Sequence, residues 1–581
     1  MKNRIKQYLL AASMCVGLTA CSDFFEPIPG VQFGLDETFA SKQRTEEYLN
    51  NVYSYVREVT DAIHPNTYGG IFTEASLDGA NRWNKTYAEW TNGSFNSASA
   101  QASEYFSKYY QAIAKASTFI QNVDKCTEAA ASTRGKWKSE ARALRAYYYF
   151  ELLRLYGPIP LIGEDPIPLD ASLEELIKER NSVDECVNFI ATELQSAIDS
   201  GDLLQRAGKA NLGRMDVATC MALKAKLYLY WASPLFNGNT DQASVKNKDG
   251  RQLFPQTEDN SKWTQARDAY ERFMTFATGQ GYKLTEVYTN GKLDPYASCR
   301  AAGEFFTTTW EAVDELIFVK LRDLYDYTYW VCPKFTDFQD TDVTGGGGYY
   351  TTQETVDLFF TKDGLTIEED PGYDKFEGIP SANNFTSGRY YDPNNPSRLY
   401  FDADKSKVLK QWKDREPRFY VNITYSGSIW LNEGKYNEEM RTDFTNGANG
   451  TCGKSKASGD CPDSGYLIRR GAKASNNNGS KHFSPVLRLA DMYLGYAEAL
   501  CMCSDLDNAL TYLNKIRVRA GIPEYTFTAT AGKITCPKTQ TDLLNRIRRE
   551  RLVELVFEWN RYFDVRRWKV AEGQNDPEHW I

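Results

Sequence analysis

Apolar residues at helical spacing, broken by glycine and proline, constrain this chain more than any other feature. From Glu140 to Tyr156 the residues Ala141, Leu144, Tyr148, Leu152 and Leu155 step by three and four, so one face of a helix is apolar, and Gly157 with Pro158 stops it. The same spacing recurs at Phe39, Tyr48, Leu49, Val52, Tyr55 and Val56, and again from Tyr105 to Val123. A further helix carries Ala218, Ala222, Ala225, Leu229 and Ala232, whose small side chains admit a close neighbour, and another carries Trp263, Ala266, Tyr270 and Phe273. Near the C-terminus, Leu489, Tyr493, Tyr496 and Leu500 share one face, Leu506, Leu510 and Leu513 the next, and a last long helix follows from about Thr541.

These paired helices resemble tetratricopeptide units, although no strict 34-residue period survives. The fold class expected is mainly α, with tetratricopeptide-like helix pairs, long irregular loops and a few short strands. Residues 36–300 form the helical-repeat scaffold, 301–480 an irregular and partly stranded region, and 481–581 C-terminal helices packing on the scaffold. Within 301–480, short β-prone runs such as Phe419 to Tyr425 predict strands. The glycines from Gly345 to Gly348 follow no apolar strand and precede no Lys-Ser/Thr, so they predict a flexible turn and not a phosphate loop.

The N-terminus is a separate matter. Lys2, Arg4 and Lys6 precede a mostly apolar stretch from Tyr8 to Leu18, and Leu18-Thr19-Ala20-Cys21 closes it. That order is a secretory signal, residues 1–20, and it resembles a bacterial lipobox, making Cys21 the lipidated mature N-terminus. Acyl chains on one residue anchor a protein to outer-membrane lipid without spanning the bilayer. Residues 21–35 then read as a tether, with Ser22, Asp23, Phe24, Phe25 and Glu26 similar to the acidic start of surface-exposed lipoproteins.

Several function classes are disfavoured. A formal charge of −9 argues against a nucleic-acid partner. His64, His482 and His579 are far apart, with no metal-ligand spacing among them. Loop aspartates such as Asp337, Asp340 and Asp342 leave loop-bound calcium open but lack an EF-hand pattern. No cofactor is expected. Of the cysteines, Cys452 and Cys461 flank a loop short enough to close, and Cys501 and Cys503 fall on different helix faces as packing residues.

Glu550, Glu554 and Glu558 recur every four residues and line one helix face. Arginines crowd the same segment, so the reading is surface or semi-buried ion pairing within it, extended to Arg488, Arg517 or Arg519 from the preceding helices. A glycosidase needs two carboxyl groups about 5 to 9 Å apart across a cleft. No spacing here selects such a pair.

Ligand contacts are expected where aromatics sit in polar loops. Trp83, Tyr87 and Trp90 lie in the loop insertion 65–100 among Asp78, Asn81 and Arg82, flat faces beside groups able to bind hydroxyls. A second candidate is Tyr329 with Trp330, in a run with Tyr325 and Tyr327 whose alternation also fits an amphipathic strand or a core wedge. Trp412 and Trp430 are weaker candidates.

Taken together, C-S-D-F-F from Cys21, E-A-R-A-L-R-A-Y-Y-Y-F from Glu140, D-R-E-P-R-F-Y from Asp414, L-R-L-A-D-M-Y-L-G-Y-A-E-A-L from Leu487 and E-R-L-V-E-L-V-F-E-W-N-R-Y-F-D-V-R-R-W from Glu550 resemble the SusD/RagB family of outer-membrane nutrient-binding lipoproteins. Glu416 stands where the usual motif carries aspartate, and either acid forms the same ion pair. The resemblance implies a cell-surface lid over a SusC-type TonB-dependent transporter that binds an oligosaccharide, or in some members a peptide, and is not an enzyme. A surface glycosidase is the alternative from another class.

Overall fold

The computed structural model describes residues 34–570, apart from 57–62, 65–66, 69–70, 77, 83–93, 97, 165–166, 168–170, 304–312, 323–324, 336–344, 377, 431–439, 445–451, 453–459 and 473–481. Cys21, Trp83, Tyr87, Trp90, Asp337, Asp340 and Asp342 therefore lie outside the described residues.

Helices α1 (Leu35–Ala40) and α2 (Lys42–Tyr53) lead into α3 (Ala100–Asn122), α4 (Ala131–Tyr156), α5 (Val183–Asp199), α6 (Val217–Ala232) and α7 (Ser261–Gly279). From α3 onward each helix packs on the next, and their buried alanines and tyrosines run into a single core. The termini explain the spacing. Gly157 takes a left-handed φ of 71° at the end of α4, which glycine reaches without a Cβ clash. Ser182 and Glu185 form a capping box at the start of α5. Asp216 caps α6 by accepting from the Thr219 N–H at 2.7 Å, and burial pushes its carboxyl up to about 6.

The middle of the chain contains α8 (Pro295–Gly303) and the short helices α9 (Tyr325–Val331), α10 (Gln353–Leu358) and α11 (Pro417–Asn422). Its strands of interest are β1 (Ala80–Asn81), β2 (Leu316–Arg322), β3 (Tyr349–Tyr350), β4 (Arg389–Asp392), β5 (Asn395–Asp402), β6 (Ile423–Tyr425), β7 (Tyr466–Ile468) and β8 (His482–Arg488). The order β6-β7-β3-β1 makes a small antiparallel sheet, in which Asn81 pairs with Tyr349 and Ala80 with Tyr350. β2 pairs with β8, and β4 with β5. Tyr325 to Val331 is a helix, which removes the strand alternative for that run. One local expectation is corrected: only Ile423 to Tyr425 of the β-prone run is extended, because Pro417 at the first helical position starts α11.

Helices α12 (Leu489–Met502), α13 (Leu506–Ala520), α14 (Gln540–Glu554) and α15 (Asn560–Arg567) close the molecule, with α12 packing on both α6 and α7. The last long helix expected from the sequence is broken, since Phe557 and Trp559 adopt left-handed φ values of 62° and 65° and turn the chain into α15. Cys501 is buried and its thiol contacts the Gln540 carbonyl at 3.4 Å, so it packs and does not bridge to Cys503.

Glu550 and Glu554 of α14 point into the protein, and Glu558, expected on the same helix face, lies instead in the turn beyond the end of α14. Glu550 and Glu554 are at most 3% exposed and Glu558 is 9% exposed, and their partners come from other elements. Arg418 reaches Glu550 at 2.6 Å and Glu416 at 2.7 Å. Arg488 binds Glu315, Glu554 and Glu558 at 2.7 to 2.8 Å, Arg517 binds Glu550 at 3.1 Å, and Arg519 joins Glu554. The pairing is therefore buried, not at the surface, and its cations are those of α11, the end of β8 and α13, with Arg470 from just beyond β7 on Glu558. Nearby, Arg551 ties Asp491 to Asp564 and Arg567 ties Glu498 to Asp564, which welds α12, α14 and α15. Glu416 does make the ion pair expected of it.

Candidate functional site

The small sheet brings Arg82 to the second aromatic candidate. β1 hydrogen-bonds to β3, and the Arg82 N–H donates to the Gly348 carbonyl at 3.0 Å, so Arg82, the last described residue before Trp83, lies beside the glycine run. That run in turn lies on the end of α9. The N–H groups of Gly346, Gly347 and Gly348 donate to the carbonyls of Tyr329, Cys332 and Trp330 at 2.7, 2.9 and 3.2 Å. A helix C-terminus leaves carbonyls without partners, and here a strap of glycines supplies the donors. With those N–H groups committed, the strap has none of them left to cradle a phosphate, and it is hydrogen-bonded structure where a flexible turn was expected.

Glycine is required in the strap for a second reason. A Cβ on Gly346 would sit 2.7 Å from the Trp330 ring and 2.9 Å from the Tyr329 ring, inside any allowed contact. The two rings therefore lie directly on main chain. They meet edge to face, with centroids 5.2 Å apart and planes at 82°, and both residues are half-buried. Tyr327, in contrast, is buried and donates to the Arg470 carbonyl at 2.8 Å, anchoring α9 as the wedge the sequence allowed.

Charged groups flank the strap. Arg82 pairs with Asp463 and also donates to the Cys461 carbonyl at 3.2 Å, while Lys334 pairs with Asp460. All four side chains retain solvent exposure, so they present donors and acceptors beside the rings. Asp463, Lys334 and Asp460 have no sequence signature, because segments more than a hundred residues apart assemble them.

Asp78 and Asn81 are placed differently from Arg82. Asp78 is 1% exposed, and its carboxylate accepts from Arg561 at 3.1 Å. Burial pushes that carboxyl up, against the pull of the Arg561 guanidinium. Asn81 is buried at its pairing with Tyr349. Both fasten the root of the loop. Trp430 is buried against Phe335, and Trp412 is largely buried beside Tyr425 and Tyr466. Among the described residues no three or more His, Cys, Asp or Glu side chains gather as a metal site, and no helix is long and apolar enough to cross a membrane.

Residues 315–578 match the family model described as the SusD family, and residues 32–229 match the model described as starch-binding associating with outer membrane. The chain belongs to the SusD/RagB family. A SusD-like protein of Bacteroides ovatus is 27% identical over 175 residues, a stretch that covers 29% of this chain and only 30% of that relative's length. The solved structure of BT4246 superposes with a TM-score of 0.70 at 25% identity, covering 91% of this chain and 89% of the other. A SusD-like carbohydrate binding protein from Bacteroides fragilis shares the fold, with a TM-score of 0.61 at 19% identity over 92% of this chain and 88% of its own. The mainly helical SusD architecture is thus common to all three structures.

Proposed function

We propose that this SusD-family chain is a lipid-anchored surface protein that binds a nutrient oligosaccharide and delivers it, chemically intact, to a SusC-type TonB-dependent transporter for which it acts as a lid. The observation that carries the reading is the half-buried Tyr329–Trp330 pair on its glycine strap, flanked by Arg82–Asp463 and Lys334–Asp460. Flat apolar rings suit the C–H faces of sugars, and the ion-paired side chains offer hydrogen bonds to hydroxyls without an uncompensated charge. The family's description as starch-binding, and the name of the Bacteroides fragilis relative, support a glycan over a peptide.

A modest affinity is adequate for such a lid. An acylated Cys21 and a docked transporter would hold the site at high effective concentration over the barrel, so ligand released from the rings is recaptured or passed inward. Substitution tests the reading. Trp330→Ala, Trp83→Ala and Trp90→Ala are each expected to weaken oligosaccharide binding by about 1 to 3 kcal/mol in calorimetric titration, the range for truncating a buried aromatic contact. Unchanged affinity in all three variants would remove this face from the site, and tighter binding of peptides than of any glycan would redirect the proposal to the peptide-binding reading.

A further inference from the structure

A separate cleft of about 560 Å³ opens beside the first site, among the segments around Phe376, Trp412, Phe444 and Tyr466. Its size falls within the span typical of small-molecule sites, about 300 to 1,000 Å³. Two features define what it can hold. Phe376 and Phe444 are half-buried, so each presents apolar surface to the opening. The same lining carries a polar relay: the Trp412 Nε1–H donates to the Tyr466 hydroxyl at 3.0 Å, that hydroxyl donates to Gln353 Oε1 at 2.7 Å, and the Gln353 amide donates to Asp357 Oδ1 at 2.7 Å.

The relay ends on an underused carboxylate. Among the described residues Gln353 is the one hydrogen-bond donor to the Asp357 carboxylate, which makes no ion pair although Arg415 and Lys375, the latter also lining the cleft, attract it through space. A half-buried carboxylate with three or so open acceptor positions is costly unless something donates to it. A neutral polyol with apolar faces satisfies both features at once, its hydroxyls donating to Asp357 and its C–H faces resting on the phenyl rings.

Resting on the glycan-binding reading above, we infer that this cleft is a second saccharide subsite, with Asp357 as hydroxyl acceptor and Phe376 and Phe444 as ring-contact residues. Its location fits a chain-like ligand. Asp463 pairs with Arg82 in the first site, while Ser464, Gly465 and Tyr466 line the cleft, so one turn serves both. Three residues of backbone span at most about 11 Å, which puts the two sites within a few sugar rings along that turn.

Calorimetric titration with malto-, laminari-, cello-, xylo- and mannohexaose tests the assignment on the full mature chain. For whichever hexasaccharide binds, Asp357→Ala and Phe376→Ala are each expected to lower affinity about five-fold or more, while a crystal soaked in the same sugar shows rings in the cleft. Affinity within two-fold of wild type in both variants, or a soaked crystal with sugar at Trp330 and none in the cleft, overturns the subsite and leaves the glycan-binding reading standing. Failure of the wild-type chain to bind any of the five overturns both. Binding of a trilysine peptide that is lost in Asp357→Ala would assign the cleft to a cation instead. The soak keeps the assignment falsifiable should a variant fail to fold.

Discussion

Arg488 is 1% exposed and donates to three carboxylates, Glu315 before β2, Glu554 at the end of α14 and Glu558 in the turn beyond it, which makes it a residue on which the C-terminal packing depends heavily. Removing one partner from a buried ion network leaves charges without compensation and typically costs about 3 to 5 kcal/mol. Arg488→Met is therefore expected to lose that much in urea denaturation, seen as a lower midpoint at unchanged slope. A loss below about 1 kcal/mol would mean the remaining arginines suffice. The four-residue spacing made the shared helix face of Glu550 and Glu554 legible in sequence, and Arg488, Arg517 and Arg519 were identifiable as partners, whereas Glu558 joins them from a turn that the spacing did not reveal. Depth was not, since periodicity marks a face without saying whether water or protein covers it. The same holds for Asp78 and Asn81, polar loop residues by composition that fold inward because Arg561 and Tyr349 receive them.

At the scale of elements, the glycine strap and α9 form one unit, and a side chain in the strap would have to displace the rings it carries. Gly346→Val is expected to destabilise the chain by about 1 to 3 kcal/mol, the usual cost of overpacking, and to weaken oligosaccharide binding with it. Gly163→Ala is the control, because nothing lies within 4 Å of a Cβ there. Thermal melts of both variants with parallel titrations check the pair; a Gly346→Val protein that binds as wild type would detach the strap from the site. Long amphipathic helices such as α4, α6 and α12 were legible because many turns repeat the same apolar stripe. α9 was not, because seven residues hold barely two turns and the tyrosine alternation matches a strand over that length. Nor does any periodicity reveal that residues 80–82, 345–350 and 460–466 meet in one small sheet and its margins.

Across the whole molecule, the buried carboxylates set a pH dependence. Glu554 is held well below the ordinary carboxylate range by Arg519, Arg488 and Arg418 against the cost of its burial, Asp491 is lowered by Lys226 and Arg551 in the same way, and Glu498 by Arg567. A carboxyl lowered on folding stabilises the native state fully above its unfolded value, near 4.5 for glutamate, and loses that contribution as pH falls through the folded value. Glu416 runs the other way, since burial raises it and its protonation relieves part of the cost. With several lowered groups, stability is expected to fall steeply as pH drops below about 4.5. Carboxyls raised by burial, Asp216 at about 6 among them, act oppositely, so stability also declines gently as pH rises through about 6. Urea midpoints measured from pH 3 to 7 check this, and a midpoint that rises on acidification below pH 4 would contradict it.

The central claim is capture without chemistry, and it is tested most directly by titrating the purified mature chain with a panel of oligosaccharides and then recovering the ligand for chromatographic sizing. The account predicts saturable binding of at least one glycan, weakened in Trp330→Ala, with every recovered molecule at its original length. Shorter products that disappear when a single carboxylate is replaced would contradict it.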